Sequence, residues 1–316
     1  MVIITGGSRT DGAWSQSHWV GYQNLVEKYP DFEITFVDMV DYPDHVAVLS
    51  AASAENDLVL TDTTLYEAMM EVPPNYPDTW YAFWCPFDAE MEGDFPFDNV
   101  VGYEQRDEDG GFLAGVAAGL MTKTNKVGYV AGQAYPEIIR YGYGFKEGIE
   151  YINPDAELLV LYTGSWVDIE KAYESSKAMI DLGADVLAHY SDAGGHGVAK
   201  AVNESEDVWF IGEVLVDEQT ALAPDRIITG FVVNHVRFME HAVETLIDGT
   251  IHRELYTFGV KPGSLPIEQE NLPVIFPLTN VPADVRAKVE EVEEAIYNGE
   301  IVPGFRFAEE DLRPLY

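Results

Sequence analysis

Short apolar runs alternate with longer stretches of helical spacing along almost the whole chain. Val2-Ile3-Ile4-Thr5 is a β-branched run that stops at Gly6-Gly7, the pattern of a buried strand. From about Trp14 to Lys28 apolar residues return at helical spacing (Trp14, Trp19 or Val20, Leu25 or Val26). Further strands are predicted at Phe32–Val37, Leu58–Thr61, Thr79–Trp84 and Val100–Tyr103. Together they make a strand-rich first unit of about 105 residues.

A second series follows. Phe112–Met121 is a helix of small residues (Ala114, Gly115, Ala117, Ala118, Gly119) suited to close packing. Strands are predicted at Lys126–Ala131, Leu158–Thr163, Val186–His189, Val208–Ile211 and Ile227–Val233. Between them lie helices at Pro136–Tyr151, opened by its proline, Asp168–Leu182, with Asp168 as N-cap, and Gly197–Val202. His235–Leu246 is another helix, and Phe258–Gly263 reads as a turn between two short strands. Pro282–Tyr297 is amphipathic, with Val285, Val289, Val292 and Ile296 on one face and Glu290, Glu291, Glu293 and Glu294 on the solvated one. The tail Arg306–Tyr316 is polar and peripheral.

Strand and helix in alternation predict an α/β fold with mainly parallel, doubly wound sheets. Two βα series of similar size predict two similar lobes. Open parallel sheets bind ligands at the carboxyl ends of their strands, so the ligand is expected in a cleft between the lobes.

Length agrees: 316 residues exceed the ~100–200 of a usual domain. Charge narrows the function. Lys and Arg number 18 against 55 Asp and Glu, a net charge of -37. No basic surface is left to neutralise phosphates, which excludes a general nucleic-acid binder, and anionic lipid headgroups repel it. The acidic excess is spread along the chain. That favours adaptation to molar salt, where self-repulsion is screened, over an ordinary acidic protein.

Cys85 is the lone cysteine, which excludes an internal disulfide framework; in Tyr81-Ala82-Phe83-Trp84-Cys85 it reads as a buried, inert thiol. No apolar stretch is long enough to span a membrane, and Met1 leads straight into a strand, so the chain reads as cytoplasmic or as a trimmed mature form.

Catalytic motifs are missing. Gly6-Gly7 is not followed by dinucleotide-binding spacing, and there is no P-loop, H-E-x-x-H or G-x-S-x-G. Asp192 and His196, in a glycine-rich turn, read as helix-capping rather than metal-ligating. No cofactor is implied. What remains is a set of aromatic and polar residues at strand-to-helix junctions: Asp11 to Trp19, Phe83-Trp84-Cys85, and Thr163 to Asp168. Indoles there suit a flat ring and an adjacent Asp accepts from N–H or hydroxyl groups. The alternative is that Trp14, Trp19 and Trp84 fill core.

These segments resemble the BMP (basic membrane protein) family of ABC-transporter substrate-binding lipoproteins, which includes purine nucleoside receptors. Asp11-Gly12-Ala13-Trp14 with His18 is similar to the family's first loop. Tyr103-Glu104-Gln105-Arg106 followed by Gly111-Phe112-Leu113-Ala114-Gly115 resembles its hinge segment. Lys126 to Val130, Pro136 to Arg140, Gly164-Ser165-Trp166 with Asp168, Gly183 to Val186 and Gly259-Val260-Lys261-Pro262-Gly263 continue the match in order, over about residues 2 to 305.

The resemblance implies a type I periplasmic-binding-protein fold, with two doubly wound parallel-sheet lobes joined by a hinge. Crossings are expected near residues 105, 233 and 278, so that one lobe takes 1–105 plus about 234–278 and the other 106–233 plus about 279–316. It implies a purine base or nucleoside as ligand, an ABC permease as membrane partner, a monomer without catalysis, and a lipid-anchored, extracytoplasmic location. Carried over by position, Trp14 or Trp19 stacks from the first lobe and Trp166 from the second. Asp11, Asp192 and Asp217 are polar contacts. Trp84, Tyr103, Arg106 and Lys261 complete the candidates. Three departures stand out. Ser15 replaces an asparagine frequent in the family, Glu213 to Asp217 aligns poorly, and the lipobox cysteine is missing from the sequence. Two other functions fit the same frame: a nucleoside-processing enzyme with Asp11 or Asp192 as general base, and a cytoplasmic ligand sensor.

Overall fold

The computed structural model describes residues 1–84, 97–268 and 272–304. Cys85 and the tail Arg306–Tyr316 lie outside them. The first elements in chain order are β1 (Val2–Ile4), α1 (Trp14–Lys28), β2 (Thr35–Val37), α2 (His45–Glu55), β3 (Leu58–Thr61), α3 (Tyr66–Glu71), β4 (Trp80–Trp84) and β5 (Val100–Gln105). Next come α4 (Asp107–Met121), β6 (Lys126–Ala131), α5 (Pro136–Ile152), β7 (Glu157–Tyr162), α6 (Ile169–Asp181), β8 (Val186–Tyr190), α7 (Gly195–Asn203) and β9 (Trp209–Val214). The last are α8 (Val216–Leu222), β10 (Ile227–Val232), α9 (His235–Ile247), β11 (Glu254–Phe258) and α10 (Ala283–Tyr297).

The chain divides into two compact units. Unit 1 comprises Met1–Gln105, Asn234–Phe258 and Gly263–Pro266; unit 2 comprises Arg106–Val233, Gly259–Pro262 and the described residues from Ile267 onward. The stretch around Val274–Phe276 adds to the free edge of β10: Val232 N–H donates to the Val274 carbonyl, Phe276 N–H to that of Gly230, and Phe231 bridges Ile275. Val274 and Phe276 are both 2% exposed; their apolar burial ties this segment to unit 2.

Unit 1 holds a six-stranded sheet, order β11-β5-β4-β3-β1-β2, and unit 2 a five-stranded one, order β10-β9-β8-β6-β7. Every named pairing is parallel. Parallel strands need helical crossovers that cover both faces, so their strands read as unbroken apolar runs. Ile4, Leu49, Val59, Leu65, Met69 and Phe83 form the core of unit 1; Val130, Leu187, Val198, Phe210 and Phe276 lie in that of unit 2.

Among the described residues the predicted strand-rich first unit carries helices α1, α2 and α3, of which α2 and α3 were not predicted. The turn predicted at Phe258–Gly263 has only its first strand among the described residues. Pro262 lacks an amide hydrogen, and beyond it Leu265 N–H folds back to the Thr257 carbonyl.

Candidate functional site

In unit 1 the carboxyl ends of β1, β3 and β4 carry the loop to α1, Asp62 and Trp84. The first four N–H groups of a helix lack partners inside it, and Asp11 supplies acceptors for three amides here. Its Oδ1 accepts from the amides of Ala13 and Gln16 at 3.0 Å, and its Oδ2 from Ser15 at 2.9 Å. Burial raises the Asp11 carboxyl above its ordinary value, and these bonds hold the rise back. Both oxygens are thus engaged in seating α1.

α1 begins at Trp14, whose ring is 8% exposed. It stands edge-on to His235 (centroids 4.6 Å apart) and to Trp84 (6.3 Å). Its indole Nε1 is buried without a hydrogen-bond partner. Trp84 packs on His235, Phe238 and Phe258 at 4.7–5.7 Å and is 2% exposed. Trp19 has a separate set of partners: Tyr22 and Phe36 against its ring, with the Arg9 guanidinium 4.6 Å above it. Tyr103 is fully buried in β5. It is hydrogen-bonded to His241 and stacked on Tyr256, and burial raises its hydroxyl.

Unit 2 presents Trp166 in the loop after β7. Gly132, just beyond β6, lies directly beneath the indole, and a Cβ there would overlap it. Tyr135 flanks the ring at 5.7 Å. The loop is held locally: Thr163 Oγ1 donates to the Ser165 carbonyl, and Ser165 Oγ accepts from the amides of Val167 and Asp168. Asp168 Oδ1 then caps α6 through the Lys171 amide at 2.9 Å. Trp166 is left half-buried.

Asp192 follows β8 with φ +50°. Glu213, which the sequence reading passed over, holds it there: Glu213 Oε1 accepts from the amides of Ser191 (2.9 Å) and Asp192 (2.7 Å). The same oxygen lies 3.1 Å from His189 Nδ1, and His189 Nε2 meets Gln219 Oε1 at 2.8 Å. Glu213 Oε2 is buried without a hydrogen-bond partner. Val214, next in line, has φ +58°, a strained state for a β-branched residue that clusters at ligand sites. The available signal was a carboxylate, Glu213, inside an apolar strand. Asp217 is exposed in the first turn of α8. Lys261 is exposed too, and its carbonyl lies 3.4 Å from Arg106 Nη1.

The candidates therefore sort themselves. Trp14 and Trp84 gather in unit 1 with His18, Asp62 and His235. Trp166 and Asp192 lie at strand carboxyl ends of unit 2 with Glu213. Tyr103 borders the first cluster, paired in register with Trp84 and packed with it on Phe238, whereas Trp19, Asp217 and Lys261 stand apart from both.

Two parallel-sheet α/β units with rings and carboxylates at strand carboxyl ends define a solute-binding protein fold. Residues 1–302 match the family described as ABC transporter substrate-binding protein, PnrA-like (Bmp), and the chain belongs to this family of binding proteins. It is 27% identical over 301 residues to the purine-binding protein of Brucella abortus, covering 94% of this chain and 80% of that one. It is 28% identical over 295 residues to a putative ABC transporter glucose-binding protein of Haloferax volcanii, covering 92% and 70%. The fold matches an ABC transporter solute-binding protein from Aeropyrum pernix with a TM-score of 0.82 and 21% identity, covering 98% and 94%.

Proposed function

We propose that the chain captures a purine nucleobase or nucleoside outside the cytoplasm and hands it unchanged to an ABC permease. It works as a monomer held at the membrane surface by a lipid anchor. Trp14 and Trp166 contact the ring, and Asp192, set by Glu213, accepts from its N–H or ribose hydroxyl groups. One observation carries this reading. A large indole at position 166 is kept half-exposed at a strand carboxyl end, with bare glycine beneath it. Exposing an indole forgoes burial of a large apolar surface, which a stacked ligand recovers. The purine-binding relative supports the same ligand class.

Calorimetric titration of the intact chain with adenosine, inosine, guanosine and their bases tests the proposal. Stacking contributes about 1–3 kcal/mol per aromatic, so Trp166→Ala should weaken binding by roughly tenfold or more. Failure of every purine to bind at millimolar concentration overturns it. Recovery of free base from a nucleoside after incubation would point to the enzyme alternative. The Haloferax relative's name favours a second reading, a hexose, since flat indoles and carboxylates also suit a sugar ring. Titration with D-glucose in parallel separates the two.

A further inference from the structure

Trp14, His18 and His235 form a buried cluster whose protons can be assigned from its hydrogen bonds. His18 lies one turn beyond Trp14 on α1, and His235 opens α9. The two imidazoles face each other with centroids 3.7 Å apart, and the Trp14 ring stands edge-on to His235. Ser17 Oγ donates to the Trp14 carbonyl at 2.7 Å and is also hydrogen-bonded to His235 Nδ1. With its hydrogen committed, the hydroxyl can only accept from His235. His235 therefore carries its proton on Nδ1, and its Nε2 is a bare lone pair. His18 Nδ1 lies 3.0 Å from the same Trp14 carbonyl, so it too must donate. That leaves His18 Nε2 facing Asp62 Oδ2 at 3.6 Å.

These three atoms and Trp14 Nε1 are buried without hydrogen-bond partners. A proton on His18 Nε2 turns lone-pair repulsion against Asp62 into attraction. A second proton, on His235, would place two cations face to face in a dry site, where charge is costly. The pair thus has room for one added proton, and it belongs on the Asp62 side. The ionisable groups facing the pair are Asp11 and Asp62, both acting on His18; Trp84 and Phe238, which pack on His235, carry no charge.

We propose that His18 and His235 are positioning residues for Trp14: His18 Nδ1 donates to the Trp14 carbonyl, and His235 Nδ1 donates to the Ser17 hydroxyl that bonds the same carbonyl. The proposal rests on the reading that Trp14 touches the ligand. Burial holds both imidazoles below their ordinary value, His235 well below, and the neighbouring His18 adds to that. The neutral seat is therefore the state near pH 7.

Adenosine and inosine are titrated at pH 7 into the wild-type chain and two variants. His235→Phe, which cannot donate to Ser17, is expected to weaken binding by about tenfold. His235→Asn keeps a donor toward Ser17, so it recovers affinity relative to His235→Phe. Wild-type affinity in His235→Phe, or no recovery in His235→Asn, overturns the proposal. Nitrogen NMR of the imidazoles decides the matter independently of ligand. His235 protonated on Nδ1 alone at pH 7 upholds the seat, whereas a proton on Nε2 overturns it. If neither nucleoside binds, the purine reading falls and this spectrum still judges the cluster.

Discussion

Asp109 sits in the first turn of α4 with Asp107 and Glu108, and its Oδ2 accepts from the Val260 amide at 2.9 Å. Burial, then the charge of Glu108, push its carboxyl up to about 7, against the pull of Arg106 and Arg140. The native state thus keeps a proton that the unfolded chain releases near pH 4. Stability from this group is greatest below pH 4 and declines as pH rises toward 7. Asp109→Asn keeps an acceptor for Val260 and removes the titration. The variant's melting temperature should therefore lose less than the wild type's between pH 5 and pH 8. Equal losses would show that Asp109 ionises freely in the fold. Nothing in the local sequence marks Asp109 apart from its acidic neighbours, because its pKa is set by burial against a segment 151 residues away. Glu213 escaped for the same reason. Its role depends on amides of Ser191 and Asp192 delivered by a neighbouring strand.

At the scale of elements, small residues decide the packing of α4 against α5. A Cβ on Gly111 would collide with the Tyr141 carbonyl, and on Gly115 with that of Phe145. On the other helix, a Cβ on Gly144 would meet the Glu108 carbonyl and on Gly148 that of Phe112. The backbones touch along the whole contact, and Arg140 and Glu108 close it with a buried ion pair at 2.6 Å. Alanine normally favours a helix over glycine by about 1 kcal/mol. Here overpacking wins, and Gly148→Ala should destabilise the chain by about 2 kcal/mol in denaturant titration; a stabilised variant would contradict this contact. The close packing of α4 was legible in its run of small residues, although α4 starts at Asp107 rather than Phe112. Helices α2 and α3 were not legible. α2 opens His45-Val46-Ala47-Val48-Leu49, a β-branched stretch without a clear apolar stripe, and α3 spans only six residues. Both form because they cover the unit 1 sheet through Leu49 and Met69.

For the whole molecule, charge is the governing quantity. A net charge of -37 repels itself across distances that salt controls, since the Debye length falls from about 10 Å at 0.1 M to about 3 Å at 1 M. The melting temperature should rise steadily between 0.1 and 2 M KCl, and a flat or falling curve would mean that the acidic surface adds no net repulsion. Most of the strands, the longer helices and the parallel arrangement of the sheets could be read from the sequence alone. They follow from local periodicity and from βα alternation, which any parallel sheet requires. Which of several similar side chains matters was decided by tertiary structure. Four tryptophans looked equivalent as candidates. Folding gave Trp19 a partner in Arg9 and Trp84 a place in the core, and it left Trp14 beside an unpaired histidine nitrogen and Trp166 on bare glycine. Hydrophobic pattern is a property of neighbours in sequence, whereas burial, orphaned polar atoms and open ring faces depend on residues that meet only after the chain has closed.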